Sequence, residues 1–147
     1  MTQHDFSQAP LIITVEQGEP TLTQLQQFIQ DWGKWLQSGE SFATLRIFSD
    51  AESLIHPEGS GPIVKRWFQA SSQAIRTNVL GMANVVPASE YTRMSKMNAE
   101  KLFGVPAATF ADIPSALAWL KERVLGNKLD VAQTLEVLER MQVNNDG

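Results

Sequence analysis

Asp50, Glu52, His56, Glu58 and Ser60 fall in one short stretch and carry the side chains that hydrolytic or cation-dependent chemistry uses. A hydroxyl, an imidazole and a carboxylate could act as nucleophile, base and orienter if the fold turned Ser60, His56 and Asp50 toward one cleft. Asp50 sits just past a predicted strand, where α/β folds bind ligands, and with Glu52 it could hold a cation. Solvated charge is the default expectation for this pair and for the other carboxylate pairs, Glu16 with Glu19 and Glu136 with Glu139. The same stretch contains Glu58-Gly59-Ser60-Gly61-Pro62 and then Lys65-Arg66, which raises the question of a phosphate cradle. A P-loop needs glycine and lysine adjacent and a hydroxyl after the lysine, so that amides and ammonium converge on phosphate. Here Pro62 removes an amide, and Lys65 has neither the glycine before it nor the hydroxyl after it. A dinucleotide fingerprint fails as well, because Val64 stands where its third glycine belongs. The remaining chemistry is a regulatory hydroxyl. Ser60 precedes a predicted helix, whose free amides favour negative charge, and a phosphate there would add roughly −1.5 to −2 charge beside Lys65 and Arg66. The plain structural role for Ser60 is a helix cap in a turn.

The elements that position this stretch follow from the apolar pattern. Leu11–Val15 is β-branched and closed by Gln17-Gly18-Glu19-Pro20, which predicts a strand. Thr21 and Gln24 form a capping box, after which Leu22, Leu25, Phe28, Ile29, Trp32, Trp35 and Leu36 keep helical spacing up to Ser38-Gly39. Phe42–Phe48 is a second strand, and residues 49–61 are expected as loop. Pro62 suits a first helical position, and Ile63, Val64, Trp67, Phe68, Ala74 and Ile75 continue that helix to Asn78. The run from Val79 to Val86 is a third strand, and Ser89 is the expected cap of a helix carrying Tyr91, Met94, Met97 and Leu102 to Gly104. Val105–Phe110 is a fourth strand, placed at an edge by Pro106. Asp112 and Pro114 open a helix with Ala116, Leu117, Leu120 and Val124 on its buried side, ending at Gly126-Asn127. A last helix is predicted over 129–143. Strand–helix alternation implies crossover connections and mostly parallel strands. The expectation is therefore an α/β single domain: a flexible lead over 1–10, a four-stranded, mostly parallel sheet with covering helices over 11–125, and an extra C-terminal helix. That helix is expected to dock on its own domain, with a homodimer contact as the alternative.

Composition bounds the function. In 147 residues the net charge is −4, which argues against non-specific binding to nucleic acid. The absence of cysteine excludes disulfides, thiolate catalysis and cysteine-based zinc sites. The two histidines, His4 and His56, lie far apart, so a histidine-rich metal site is set aside and neither metal nor cofactor is expected. No apolar run approaches the roughly 20 residues of a membrane span, and the N-terminus lacks the basic-then-apolar order of a signal peptide. A soluble cytoplasmic protein is the expectation. Trp32, Trp35 and Trp67 fall on apolar stripes and are assigned to the core. Trp119 flanks its stripe and, with Tyr91, Met94 and Met97, could border an apolar pocket.

The stretch from Asn84 to Ser89, through Lys101-Leu102-Phe103, to Phe110-Ala111-Asp112-Ile113-Pro114-Ser115-Ala116-Leu117-Ala118-Trp119-Leu120 resembles the last strand–helix–strand–helix unit of the STAS superfamily. That group includes the bacterial anti-sigma-factor antagonists and is structurally similar to CRAL-TRIO-type lipid-binding domains. By element order the resemblance covers residues 11–125. It implies a non-enzymatic interaction module of regulatory type that binds another protein. In switching antagonists the phosphorylated residue lies in an acid–hydroxyl–hydroxyl–glycine stretch at a helix start. Glu58-Gly59-Ser60-Gly61 keeps an acid, a hydroxyl and a glycine there, but departs in Glu58-Gly59 and in the added Pro62. Ser60 is the phosphorylation candidate, with Glu58, Gly59, Gly61, Lys65 and Arg66 as the partner-binding surface. The alternative reading is a carrier of a lipid or other small apolar ligand, held at Tyr91, Met94, Met97 and Trp119.

Overall fold

Strands that follow one another through helices of the same hand must settle side by side in chain order, with every crossing helix on one face. The computed structural model, which describes residues 1–141, has this arrangement. One sheet runs in the order β1 (Thr2–Asp5), β2 (Leu11–Glu16), β3 (Phe42–Phe48), β4 (Val79–Val85), β5 (Ala107–Phe110). β2 to β5 are parallel, and β1 is antiparallel to β2.

Helices α1 (Leu22–Gln37) and α2 (Ser60–Asn78) cross on one face, followed by the short α3 (Tyr91–Met94) and α4 (Ala99–Phe103). Trp32 and Leu36 of α1, Ile75 and Trp67 of α2, and Phe103 of α4 pack there on Ile12, Phe42 and Val79. The Thr21–Gln24 capping box forms as the sequence predicts. Trp32, Trp35 and Trp67 all belong to this layer, as their spacing requires.

Three crossovers on one side leave the other face of the sheet bare. That face presents Leu11, Ile13 and Val15, then Ala43, Leu45 and Ile47, then Ala83 and Val85, and it is covered by the C-terminal elements. Helix α5 (Ile113–Leu120) brings Ala116, Leu117 and Leu120, and α6 (Val131–Arg140) brings Val137 and Leu138. The last helix docks at home because eight buried aliphatic side chains would otherwise face water. Both helices begin on aspartate caps: Asp112 accepts the Ser115 amide at 2.7 Å, and Asp130 accepts the Gln133 amide at 3.0 Å. A π-helical turn (Lys121–Leu125) joins them, and its Val124 lies over Gly81. A Cβ on Gly81 would come within 2.7 Å of Val124 Cγ2, so any larger residue at that point of β4 must displace Val124.

Four expectations are corrected. The sheet has five strands rather than four, because part of the expected lead, Thr2–Asp5, pairs with β2. Its polar sequence gave no strand signal; side-chain bonds hold it, from Thr2 to Glu16 and from His4 to Thr14 and Asp31. The single helix expected between Ser89 and Gly104 is two short ones. Ser95 to Asn98 break it, and Asn98 recaps α4 by accepting the Lys101 amide at 3.0 Å. Ser89 caps nothing; it lies in a 3₁₀ turn without a side-chain cap. The last helix begins at Val131 rather than 129, and residues 142 and 143, expected within it, lie outside the described residues. Among the described residues no helix is long and apolar enough to cross a membrane.

Candidate functional site

The glycine-rich stretch forms the entrance to α2. Gly59 has φ +84°, a conformation that suits glycine and lets the chain turn sharply into the helix. The helix begins at Ser60, two residues before the predicted Pro62. The Ser60 amide donates to the Pro57 carbonyl at 3.0 Å, closing the turn. Ser60 does not act as a side-chain cap; the residue is only 6% exposed. Its neighbours along the chain, Glu58, Gly59, Gly61, Lys65 and Arg66, are exposed. Lys65 and Arg66 have no carboxylate within 4.0 Å among the described residues. Two apolar residues stand in solvent on the same stretch, Ile55 at 44% and Val64 at 39% exposure.

Asp50 is committed to the backbone. Its carboxylate accepts the Gly18 amide at 3.0 Å and the Ser53 amide at 2.9 Å, tying the loop after β2 to the loop after β3. Glu52 is exposed in the 3₁₀ turn Glu52–Leu54, and among the described residues the two do not form a cation site with a third acidic or histidine ligand. His56 is exposed and has no hydrogen-bond partner among the described residues, while Ser60 is buried. The structure thus does not join Asp50, His56 and Ser60 into a hydrogen-bonded set.

The four residues expected around one apolar pocket are dispersed. Met94 packs on Phe48, Leu54 and Val86. Trp119 packs against Phe110 with the rings tilted and their centroids 5.7 Å apart, on the α5 face of the sheet. Only Tyr91 and Met97 share a concavity, an open groove of about 340 Å³ along β5 that is also lined by Ser95, Asn98 and Thr109.

The chain matches no protein-family model, no curated protein and no solved structure. Its function is argued from its own geometry.

Sequence reasoning missed a polar row beneath α1 and α2. His4, Thr14, Arg46, Asn84 and Thr109 stand side by side across all five strands. Arg46 Nη2 donates to Glu16 Oε2 at 2.6 Å, and the Thr2 hydroxyl donates to Glu16 Oε1 at 2.7 Å. The guanidinium lies 4.3 Å from the Phe28 ring centroid and 4.7 Å from that of Phe48, so a cation is held between two aromatic faces. The signal was present in four of the strands: Thr14, Arg46, Asn84 and Thr109 are polar residues at paired positions of mainly apolar strands, whereas His4 lies in a strand that is polar throughout.

Proposed function

We propose that this chain is a non-enzymatic protein-interaction module of regulatory type that receives its partner at the entrance to α2. The observation that carries this reading is the exposure of Ile55 and Val64 near the buried Ser60, with Lys65 and Arg66 beside them unpaired among the described residues. Apolar side chains in water, next to charges without partners, are the ingredients of a contact whose centre is apolar and whose rim is charged. The strand–helix succession agrees with the STAS resemblance, as it would with other α/β architectures, so the weight rests on the entrance itself.

Ser60 is the control point. A phosphate of roughly −1.5 to −2 charge has no place in a position closed to water, where an unpaired charge costs several kcal/mol. The modified residue would leave with the loop 55–59, carrying Ile55 away and disassembling the contact. A charge at Ser60 therefore acts by opening the entrance rather than by repelling a partner at a distance.

Crosslinking capture from native cell extract, quantified by mass spectrometry, tests both statements. A partner taken by the unmodified chain is expected to fall about tenfold with Val64→Glu and with Ser60→Glu. It should be retained by Leu135→Ser, which changes an exposed apolar residue on α6. An unchanged set of captured proteins across all variants overturns the docking face. Incubation of the chain with extract and ATP, read by mass spectrometry, addresses the switch: no phosphate on Ser60 removes the switch and leaves the face.

A further inference from the structure

Among the described residues, the last strand of the sheet is hydrogen-bonded on one side only. The Met82 amide donates to the Pro106 carbonyl and the Val86 amide to the Phe110 carbonyl, both at 2.9 Å. In a parallel ladder these bonds fix the parity: Ala108 and Phe110 turn their amides and carbonyls toward β4, while Ala107 and Thr109 turn theirs outward. Those four outward groups have no backbone partner among the described residues. Ala107 and Thr109 form the floor of the 340 Å³ groove whose wall is Tyr91, Ser95, Met97 and Asn98. Met97, at 60% exposure, and Tyr91 leave apolar surface at the rim.

We propose that this groove takes an extended, acidic segment of another protein as a sixth strand beside β5. Strand addition supplies the partners that the amides and carbonyls of Ala107 and Thr109 lack, and the side chains of alternate residues would meet Tyr91 and Met97. Charge decides the kind of segment. Although the chain as a whole is at −4, the stretch 91–104 carries Arg93, Lys96 and Lys101 against Glu100 alone. Arg93 is paired with Glu90 outside that stretch, whereas Lys96 and Lys101 have no carboxylate within 4.0 Å among the described residues. Lys96 stands between Ser95 and Met97, both of which line the groove. A second copy of this chain fits less well. It would bring an identical concave edge and the same unpaired lysines against themselves. The site is separate from the α2 entrance and does not depend on the reading given for it.

The test uses the full chain and a fluorescein-labelled octapeptide alternating aspartate or glutamate with valine. Its controls are the same peptide with lysine in place of the acids, and one N-methylated at every second residue to remove strand donors. Anisotropy should show the acidic peptide binding at least about tenfold more tightly than either control, with affinity falling as salt rises. The ¹⁵N–¹H signals of Ala107 and Thr109 should shift and their hydrogen exchange should slow. Lys96→Glu with Lys101→Glu should weaken binding about tenfold. Thr109→Pro should do the same by deleting an outward amide; it removes no bond to β4, and edge strands tolerate proline. Equal binding of the lysine peptide, indifference to N-methylation, or shifts confined to other elements overturns the proposal. So does failure to bind at millimolar peptide, or sedimentation showing that the edge is closed by dimerisation sensitive to Thr109→Pro.

Discussion

Replacing Arg46 with methionine isolates what the ion pair under α1 is worth. The Glu16 side chain is 8% exposed and that of Arg46 31%, so Glu16 is the partner that cannot retreat to water. Removing one member of a buried pair costs about 3–5 kcal/mol, mostly for stranding the other charge. The solvent access of Arg46 places the loss at the lower end of that range. Methionine keeps apolar contact with Phe28 and Phe48 but forfeits the attraction of a cation to two rings, about 0.5–1 kcal/mol each. The expected loss is about 4–5 kcal/mol. At about 2.1 cal/mol/K of unfolding entropy per residue, a chain of 147 residues should lose about 13–16 °C in Tm. Adding Glu16→Gln removes the stranded charge and keeps an acceptor for Thr2, so the double variant should recover about 2 kcal/mol relative to Arg46→Met alone. Urea unfolding followed by tryptophan fluorescence reads both, with the denaturant slope expected to stay constant. A loss below about 1 kcal/mol for Arg46→Met would place the pair with ordinary surface bridges and refute the reasoning. A double variant no more stable than the single would assign the loss to aromatic packing instead.

Two further perturbations probe the supports of the candidate sites. Gly81→Ala should cost about 1–3 kcal/mol through its collision with Val124, and Val124→Ala in the same chain should return part of that loss in thermal melts. A double variant no more stable than Gly81→Ala would show that the contact is not the cause. Asp50→Ala should cost about 2 kcal/mol by releasing the Gly18 and Ser53 amides. Hydrogen exchange should quicken at those two amides while Ile13 and Leu45, deep in the sheet, stay protected.

The repeated strand–helix order was legible because each element has its own period and its own stop. Thr21 with Gln24, Asp112 with Pro114, and Gly104 are local signals that act through the nearest turn of backbone. β1 was not legible, because Thr2–Asp5 has no intrinsic strand character and is held by partners distant in sequence: Glu16, Thr14 and Asp31. The break in the α3–α4 segment was hidden by Met94 and Met97. Their spacing suits a helix, yet one is packed into a small core and the other stands in solvent. At the α2 entrance the turn itself was readable from its glycines and proline. The burial of Ser60 was not, because it depends on how the loop after β3 folds back. Asp50 was placed correctly beyond a strand end, but its partners are amides, and backbone partners leave no trace in side-chain types.

The polar row explains why the chain occupies this register and no neighbouring one. β2, β3 and β4 alternate their side chains between an aliphatic face under α5 and α6 and a mixed face under α1 and α2. A slip of one residue in β3 would drive Arg46 into the aliphatic face and lift Leu45 or Ile47 out of it. An unpaired guanidinium there, among Leu11, Ile13, Val85 and Leu117, would cost far more than any apolar mismatch. Thr14 and Asn84 impose the same choice on β2 and β4, so the three central strands hold one another in place. β5 is constrained less. It contributes only Thr109 to the row, is four residues long, and is paired on one side. The polar residues that discipline the centre of the sheet thus leave its last edge as the strand freest to adjust to an added one.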